Sequence, residues 1–545
     1  MLIPDFPFPY DEYLAHPDGL GSIPPEHHGT EVAVVGAGLS GLVAAYELMR
    51  LGLKPVVYES SELGGRLRGA RQPGTDHPVA DLGGMRFPRS GRAFYHYVDL
   101  LDLETRPFPN PLTPASDSTV IEIAGRKHYA QSPGDLPRFF HEVADAWHAC
   151  LEERAHFAAM RRAIEIRDYA TVKELWNELV PLFDDMSFSH YLATSKAFSS
   201  LPFEYREAFG LVGFGTGGWD TNFPDSFLEI LRVVYVGAED DQHRIVGGAQ
   251  RLPQQLWRHA PDRLAHWPAG TSLAALHPGG HRGAVKRIWR SADRAGGIEV
   301  TDRWGRTATY PAVIASCQSW LLSARIDTDE SLFSHKLWTA IERSHYMQAS
   351  KTFVVVDRPF WKDIDPATGR HIMSTTLTDR LTRGTYLLDD GPDKPALICL
   401  SYAWNDDALK WLTLDADERV RLMLHSLKQI YPDVDIASHI IGDPITVSWE
   451  DDPDFMGAFS DNLPGHYRYQ ERLYSHFMQD GLDPGHRGIY LCGDDVSWTG
   501  GWADGAVTTG LNAVWGVMSQ LGGKTTAANP GPGDRFEELR PIRLP

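Results

Sequence analysis

Residues 31–60 leave little freedom in what this chain can fold into. EVAVVG (31–36) is a continuous, Val-rich apolar run, the pattern of a strand buried on both faces of a parallel sheet. Gly36-Ala37-Gly38-Leu39-Ser40-Gly41 follows, then a helical stretch over 39–51, then a second strand in KPVVYES (54–60). The result is a βαβ unit with G-x-G-x-x-G in its first turn. Gly36 permits the tight turn, Gly38 lets backbone approach a pyrophosphate, and Gly41 lets the helix pack close to the strand. Ser40 sits in the first helical turn, where free N–H groups and the positive dipole end attract phosphate. Glu59 ends the second strand, where an acid accepts hydrogen bonds from a ribose. The unit predicts a bound dinucleotide.

The rest of the composition narrows the class. A chain of 545 residues is long enough for about three to four domains. Its net charge of −20, without a dense basic run, excludes a nucleic-acid binder and a protein that coats anionic membranes. The same charge mildly attracts cationic small molecules. Cys150, Cys317, Cys399 and Cys492 lie far apart, which argues against a disulfide framework or a zinc site. The histidines show no metal-binding spacing, so no metal is expected. The first residues, MLIPDFPFPYDEYLAHPD, lack the positive charge and apolar run of a secretory signal, and no segment is apolar for long enough to span a membrane. A cytoplasmic protein is expected.

Strand patterns return near 285–316 and at 488–493 (GIYLCG). The expected fold is α/β: a dinucleotide-binding domain of interleaved segments, with an inserted α+β substrate domain and a helical subdomain. The division is 1–29 an extended arm, 30–110 the βαβ unit, 111–240 largely helical with substrate-site segments, and 241–320 further strands of the first domain. A substrate-binding sheet follows over 321–470, then a C-terminal motif and helix over 471–522 and an irregular tail over 523–545.

Three motifs carry a family resemblance. Gly64-Gly65-Arg66 follows Glu59, as a GG-R segment follows the ribose acid in the FAD-binding amine oxidases and wraps the diphosphate. Gly83-Gly84-Met85-Arg86-Phe87 resembles the segment of flavin enzymes that oxidise free α-amino acids. There the Arg holds the substrate carboxylate, a task its planar fork suits. Gly493-Asp494-Asp495, with Trp498, Gly500-Gly501-Trp502 and Ala503-Asp504-Gly505-Ala506, resembles the family's C-terminal motif. One of Asp494 and Asp495 would bind the ribityl chain, Trp502 would stand beside the flavin, and the helix start at Ala503 and Ala506 would face the ring. Nearly the whole chain resembles the bacterial amino-acid 2-monooxygenases and L-amino-acid oxidases of this superfamily. The lysine 2-monooxygenases are the nearest type, through PDFPF, GLGSIP, NPLTPAS, VGFGTGGWD and GDPITVSWE.

The resemblance implies noncovalent FAD, since Gly457-Ala458-Phe459 has no Cys where covalent members carry one. It implies that Arg86 binds the carboxylate and Lys351 holds a water near the flavin, with Tyr402, Trp449 and Trp502 lining the site. Lys351 opens an apolar strand, where a Lys is out of place unless it faces a polar cavity. Asp220, Asn222, Asp225 and Ala238 are expected around the substrate, Asn222 standing where lysine-type members have an acid. The run Glu239-Asp240-Asp241 reads as a solvated face. The implied reaction uses O2 to oxidise L-lysine or another basic amino acid, with decarboxylation to the amide one carbon shorter. The alternative is an oxidase giving keto acid, ammonia and peroxide, with arginine or a neutral or aromatic substrate. A homodimer is implied, with the 1–29 arm as an interface element.

Overall fold

The computed structural model describes residues 1–212, 224–292 and 297–544. Its central element is a four-stranded parallel sheet in the order Lys54–Tyr58, Glu31–Val35, Val313–Ala315, Ile489–Leu491. Strands far apart in sequence thus make one sheet. Successive side chains of a strand point to opposite faces. Val32, Val34 and Val57 enter the core that contains Leu42, Val43 and Leu511, from the helices Leu39–Arg50 and Ala503–Gln520. Ala33, Val35, Val56 and Tyr58 face the other way, onto Ile288, Ile298 and Val300 of an antiparallel sheet.

The second large sheet has seven strands: Ile445–Ser448, Ala349–Val356, Ala396–Trp404, Gly384–Leu388, Thr375–Thr378, Thr119–Ile123 and Arg126–Ala130. The segment 111–240, expected to be largely helical, opens with two strands. Thr119–Ile123 pairs parallel to Thr375–Thr378 and carries its hairpin partner into the sheet. The helices lie between Arg138–Arg154 and Phe203–Val212, with ends set by short polar side chains: Asp168 accepts from the Thr171 N–H at 3.1 Å.

The N-terminal segment is not a free arm. Phe6, Phe8, Tyr10 and Tyr13 are buried in the main core, where Phe6 packs on Tyr474 and Phe536. Asp5 is fully buried and accepts from Arg232 Nε at 2.7 Å, while the Arg232 guanidinium lies over the Trp498 and Trp176 rings. A buried charge needs such a partner, so this interaction ties the segment to the helix Phe227–Tyr235. The tail also carries a short helix, Phe536–Leu539, in the same core. All four cysteines are free. Among the described residues no helix is long and apolar enough to cross a membrane, and no cluster could hold a metal ion.

Candidate active site

One continuous cavity runs from the glycine turn, past the loop 64–67 and the segment 82–87, to the inner face of the seven-stranded sheet. At one end lies the N-terminus of the helix Leu39–Arg50, which has no side-chain cap. Its first N–H groups and the positive end of its dipole are available to an anion. Gly36, Gly38 and Ser40 line this end. A Cβ on Gly38 would meet nothing closer than 3.9 Å, so the space beside that backbone is open to a ligand. Gly41 is different. A Cβ there would lie 2.2 Å from the Gly36 carbonyl oxygen, so Gly41 serves the packing of turn on helix and does not line the cavity. Glu59 reaches back over the turn, where Oε2 accepts from the Ala37 N–H at 2.7 Å and Oε1 from Ser60 and Ser61. These bonds hold the carboxylate at the cavity edge.

The C-terminal motif decides between two neighbouring acids. Asp494 lines the cavity and is paired with Arg66, whose Nη1 also donates to the Ala458 carbonyl at 2.9 Å. The N–H groups of Ser460 and Gly501 donate to the same carboxylate. Asp495 turns into the core, where it accepts from the Tyr346 hydroxyl at 2.5 Å and the Ser319 N–H at 2.9 Å. Burial pushes its pKa up. Asp494 is therefore the member of the pair available to a ligand. Trp502, Ala503 and Ala506 line the cavity beside it, and the helix Ala503–Gln520 also starts without a side-chain cap.

Gly65, Gly84, Met85 and Arg86 also line the cavity. Arg86 donates to Asn110 Oδ1 at 2.9 Å, and its guanidinium lies 5.9 Å from the Tyr386 ring and 6.0 Å from the Phe108 ring. Among the described residues it forms no salt bridge. Burial pulls its pKa down, but Tyr386, Glu239 and Tyr402 together raise it, so its positive charge remains available in the cavity. Lys351 lies in the strand Ala349–Val356, and its ammonium donates to the Asp81 carbonyl at 3.3 Å and to the Gly83 carbonyl. Burial lowers its pKa to about 8. It lines the cavity with Tyr402 and Trp449, and Trp449 is held by its Nε1–H donating to the Leu82 carbonyl at 3.2 Å.

Four expected substrate contacts fare differently. Asp220 and Asn222 lie outside the described residues. Asp225 is fully buried and does not line the cavity. Ala238 packs behind Trp502 with Val233 and Val236, one layer from the cavity. The acidic run that read as solvated is divided. Asp240 and Asp241 are exposed, whereas Glu239 lines the cavity, and burial raises its pKa. Glu229, Asp461, Trp404 and Phe459 are further lining residues that sequence reasoning missed. No local motif marks them. The one legible signal was alternation in LSYAW, which puts Tyr402 and Trp404 on the same face of their strand.

An uncapped helix start beside an open glycine backbone, an acid at the end of the second strand and a second acid at the far end of the first sheet fit an elongated dinucleotide. The sequence profile of flavin containing amine oxidoreductases matches residues 39–518. The chain belongs to the flavin-containing amine oxidoreductase family. The cofactor of this flavoenzyme is FAD, and the groups around the cavity fit it. The chain is 30% identical to a tryptophan 2-monooxygenase of Pseudomonas savastanoi, over 96% of each protein. It is also 30% identical to one of Allorhizobium ampelinum, over 95% of this chain and 72% of that protein. The cyclohexylamine oxidase of Brevibacterium oxydans shares the fold, with a TM-score of 0.64 at 16% identity, covering 91% of this flavoenzyme and all of that chain.

Proposed function

We propose that this flavoenzyme oxidises a free L-α-amino acid at its Cα–N bond, using O2, with loss of CO2 to give the amide one carbon shorter. The observation that carries this reading is Arg86: a cavity-facing guanidinium held by a neutral amide, its charge not cancelled by any salt bridge among the described residues. Such a group suits a carboxylate, which a simple amine lacks.

Bound FAD supplies the two-electron acceptor and the route of those electrons to O2. Glu59 and Asp494 would hold its ribose and ribityl hydroxyls, and the two uncapped helix starts would face its phosphates and ring. Gly457-Ala458-Phe459 offers no thiol for a covalent bond, so FAD is held noncovalently. Arg86 fixes the α-carboxylate and thereby the direction of Cα–H, an effect of orientation. The α-ammonium sheds its proton on entering the desolvated cavity. Lys351, with a pKa of about 8, holds or releases a proton at Nζ within the same enclosure.

For the side chain, Glu239 and Asp461 on the cavity wall support a basic amino acid, lysine or arginine. Trp404, Phe459 and Tyr402, with the similarity to tryptophan 2-monooxygenases, favour an aromatic substrate as the second reading. The deciding experiment incubates the purified flavoenzyme with single amino acids and measures oxygen uptake, peroxide, CO2 and amide together. Amide and CO2 in equal amounts with little peroxide is the expected result. Keto acid with stoichiometric peroxide would make it an oxidase, and turnover of amines alone would overturn the amino-acid reading.

A further inference from the structure

Arg86 can only donate hydrogen bonds, so whatever it touches must present an acceptor. It touches Asn110 Oδ1 at 2.9 Å. That contact turns the Asn110 amide so that Nδ2 donates to Gln242 Oε1 at 2.8 Å. Gln242 is turned in the same sense: Nε2 donates to the Ala238 carbonyl at 2.7 Å and to Glu239 Oε2 at 3.3 Å. Flipping either amide would set donor against donor at one end or acceptor against acceptor at the other. Gln242 is buried at 4% exposure, and its backbone carbonyl accepts from the Phe108 N–H at 2.8 Å. The relay begins and ends on the cavity wall, at Arg86 and Glu239, while its two middle members do not line the cavity.

Glu239 is the acid whose charge acts on Arg86. A carboxylate free to swing onto that guanidinium would occupy the position a substrate carboxylate needs. We propose that Asn110 and Gln242 are positioning residues that aim Arg86 into the cavity and hold Glu239 away from it, so that the guanidinium stays open to the substrate carboxylate. This inference rests on the reading of Arg86 given above. Preorganisation of this kind removes the cost of ordering a long side chain when the ligand arrives.

The test compares Gln242→Leu, Asn110→Asp and Arg86→Ala in the full-length, FAD-loaded enzyme. Steady-state kinetics are run in the amino acid and, separately, in O2. Flavin absorbance checks cofactor loading. Gln242→Leu is expected to raise KM for the amino acid on the order of 10- to 100-fold, the cost of a displaced binding group. Both kcat and KM for O2 stay close to those of the parent. Asn110→Asp, which replaces one donor by an acceptor facing Gln242 Oε1, carries the same expectation if the leucine variant fails to fold. Combined with Arg86→Ala, neither adds a further loss, since the three act as a unit. If Arg86→Ala raises KM and both relay variants leave it unchanged, the relay is refuted and the Arg86 reading stands. If Arg86→Ala itself leaves KM unchanged, that reading fails. A parallel rise in KM for the amino acid and for O2 would show general damage and overturn the positioning role.

Discussion

Lys351 and Tyr402 are cross-strand partners in the seven-stranded sheet, and the Lys351 ammonium lies 4.7 Å from the centre of the Tyr402 ring. Directly opposed residues share a face, so the antiparallel register brings the lysine and the tyrosine to the same stretch of cavity wall. The ring face and the carbonyls of Asp81 and Gly83 solvate the charge where water is excluded. Removing the ammonium while keeping the side-chain length tests whether its proton is used. Lys351→Met is expected to lower kcat by on the order of 100-fold, the usual reach of a positioned acid–base group. A limb near pH 8 in the kcat profile should disappear with it. Unchanged turnover across pH 6–10, with FAD still bound, would leave Lys351 a structural residue.

The division between Asp494 and Asp495 leads to opposite expectations for two conservative changes. Asp494→Asn weakens the pairing with Arg66 at the cavity edge and should reduce FAD affinity by roughly 10-fold or more, the scale of one charged hydrogen bond. Asp495→Asn retains an acceptor for Tyr346 and Ser319 and should leave FAD affinity near that of the parent. Fluorescence titration of the apoprotein with FAD measures both. Equal losses would erase the distinction.

Gly41 has no room for a methyl group. In Gly41→Ala the new Cβ starts 2.2 Å from a backbone oxygen and 2.3 Å from Ser316 Oγ. Relief requires the glycine turn to move, at a cost of about 1–3 kcal/mol. The purified variant should carry substoichiometric FAD and melt several degrees lower, as read by flavin absorbance and thermal denaturation. A fully loaded variant with the parent's Tm would contradict the packing role.

Asp81 offers a test of pH linkage. Burial raises its pKa from 3.8 to about 7, against the N–H of Ala249 and the charge of Lys351, which pull it down. A group raised on folding contributes stability that is present below its unfolded pKa and is lost as pH climbs through the folded value. The parent therefore loses this contribution between about pH 4 and pH 7, and Asp81→Asn has no such group to titrate. The Tm of the variant relative to the parent should rise across that window and level off above it. A difference that stays flat from pH 4 to pH 8 would show that Asp81 is not raised.

The legible parts of this protein are those whose physics is local. A glycine turn, a Val-rich strand and a terminal acid within thirty residues announce the dinucleotide unit, because each group acts on its chain neighbours. The Gly-Gly-Arg and Gly-Gly-Met-Arg segments pointed to Arg66 and Arg86 through their family resemblance, and Lys351 stood out as a cation at the start of an apolar strand. The tertiary structure decided what depends on packing between distant segments. It turned Asp494 to the cavity and Asp495 to Tyr346, put Glu239 inside while its two acidic neighbours stayed in solvent, and moved Asp225 and Ala238 off the cavity wall. It also folded the N-terminal segment into the core through Asp5 and Arg232. Asn110 and Gln242 illustrate the limit. An amide is unremarkable in a sequence, and its role depends on which donor and which acceptor the fold places at its two ends.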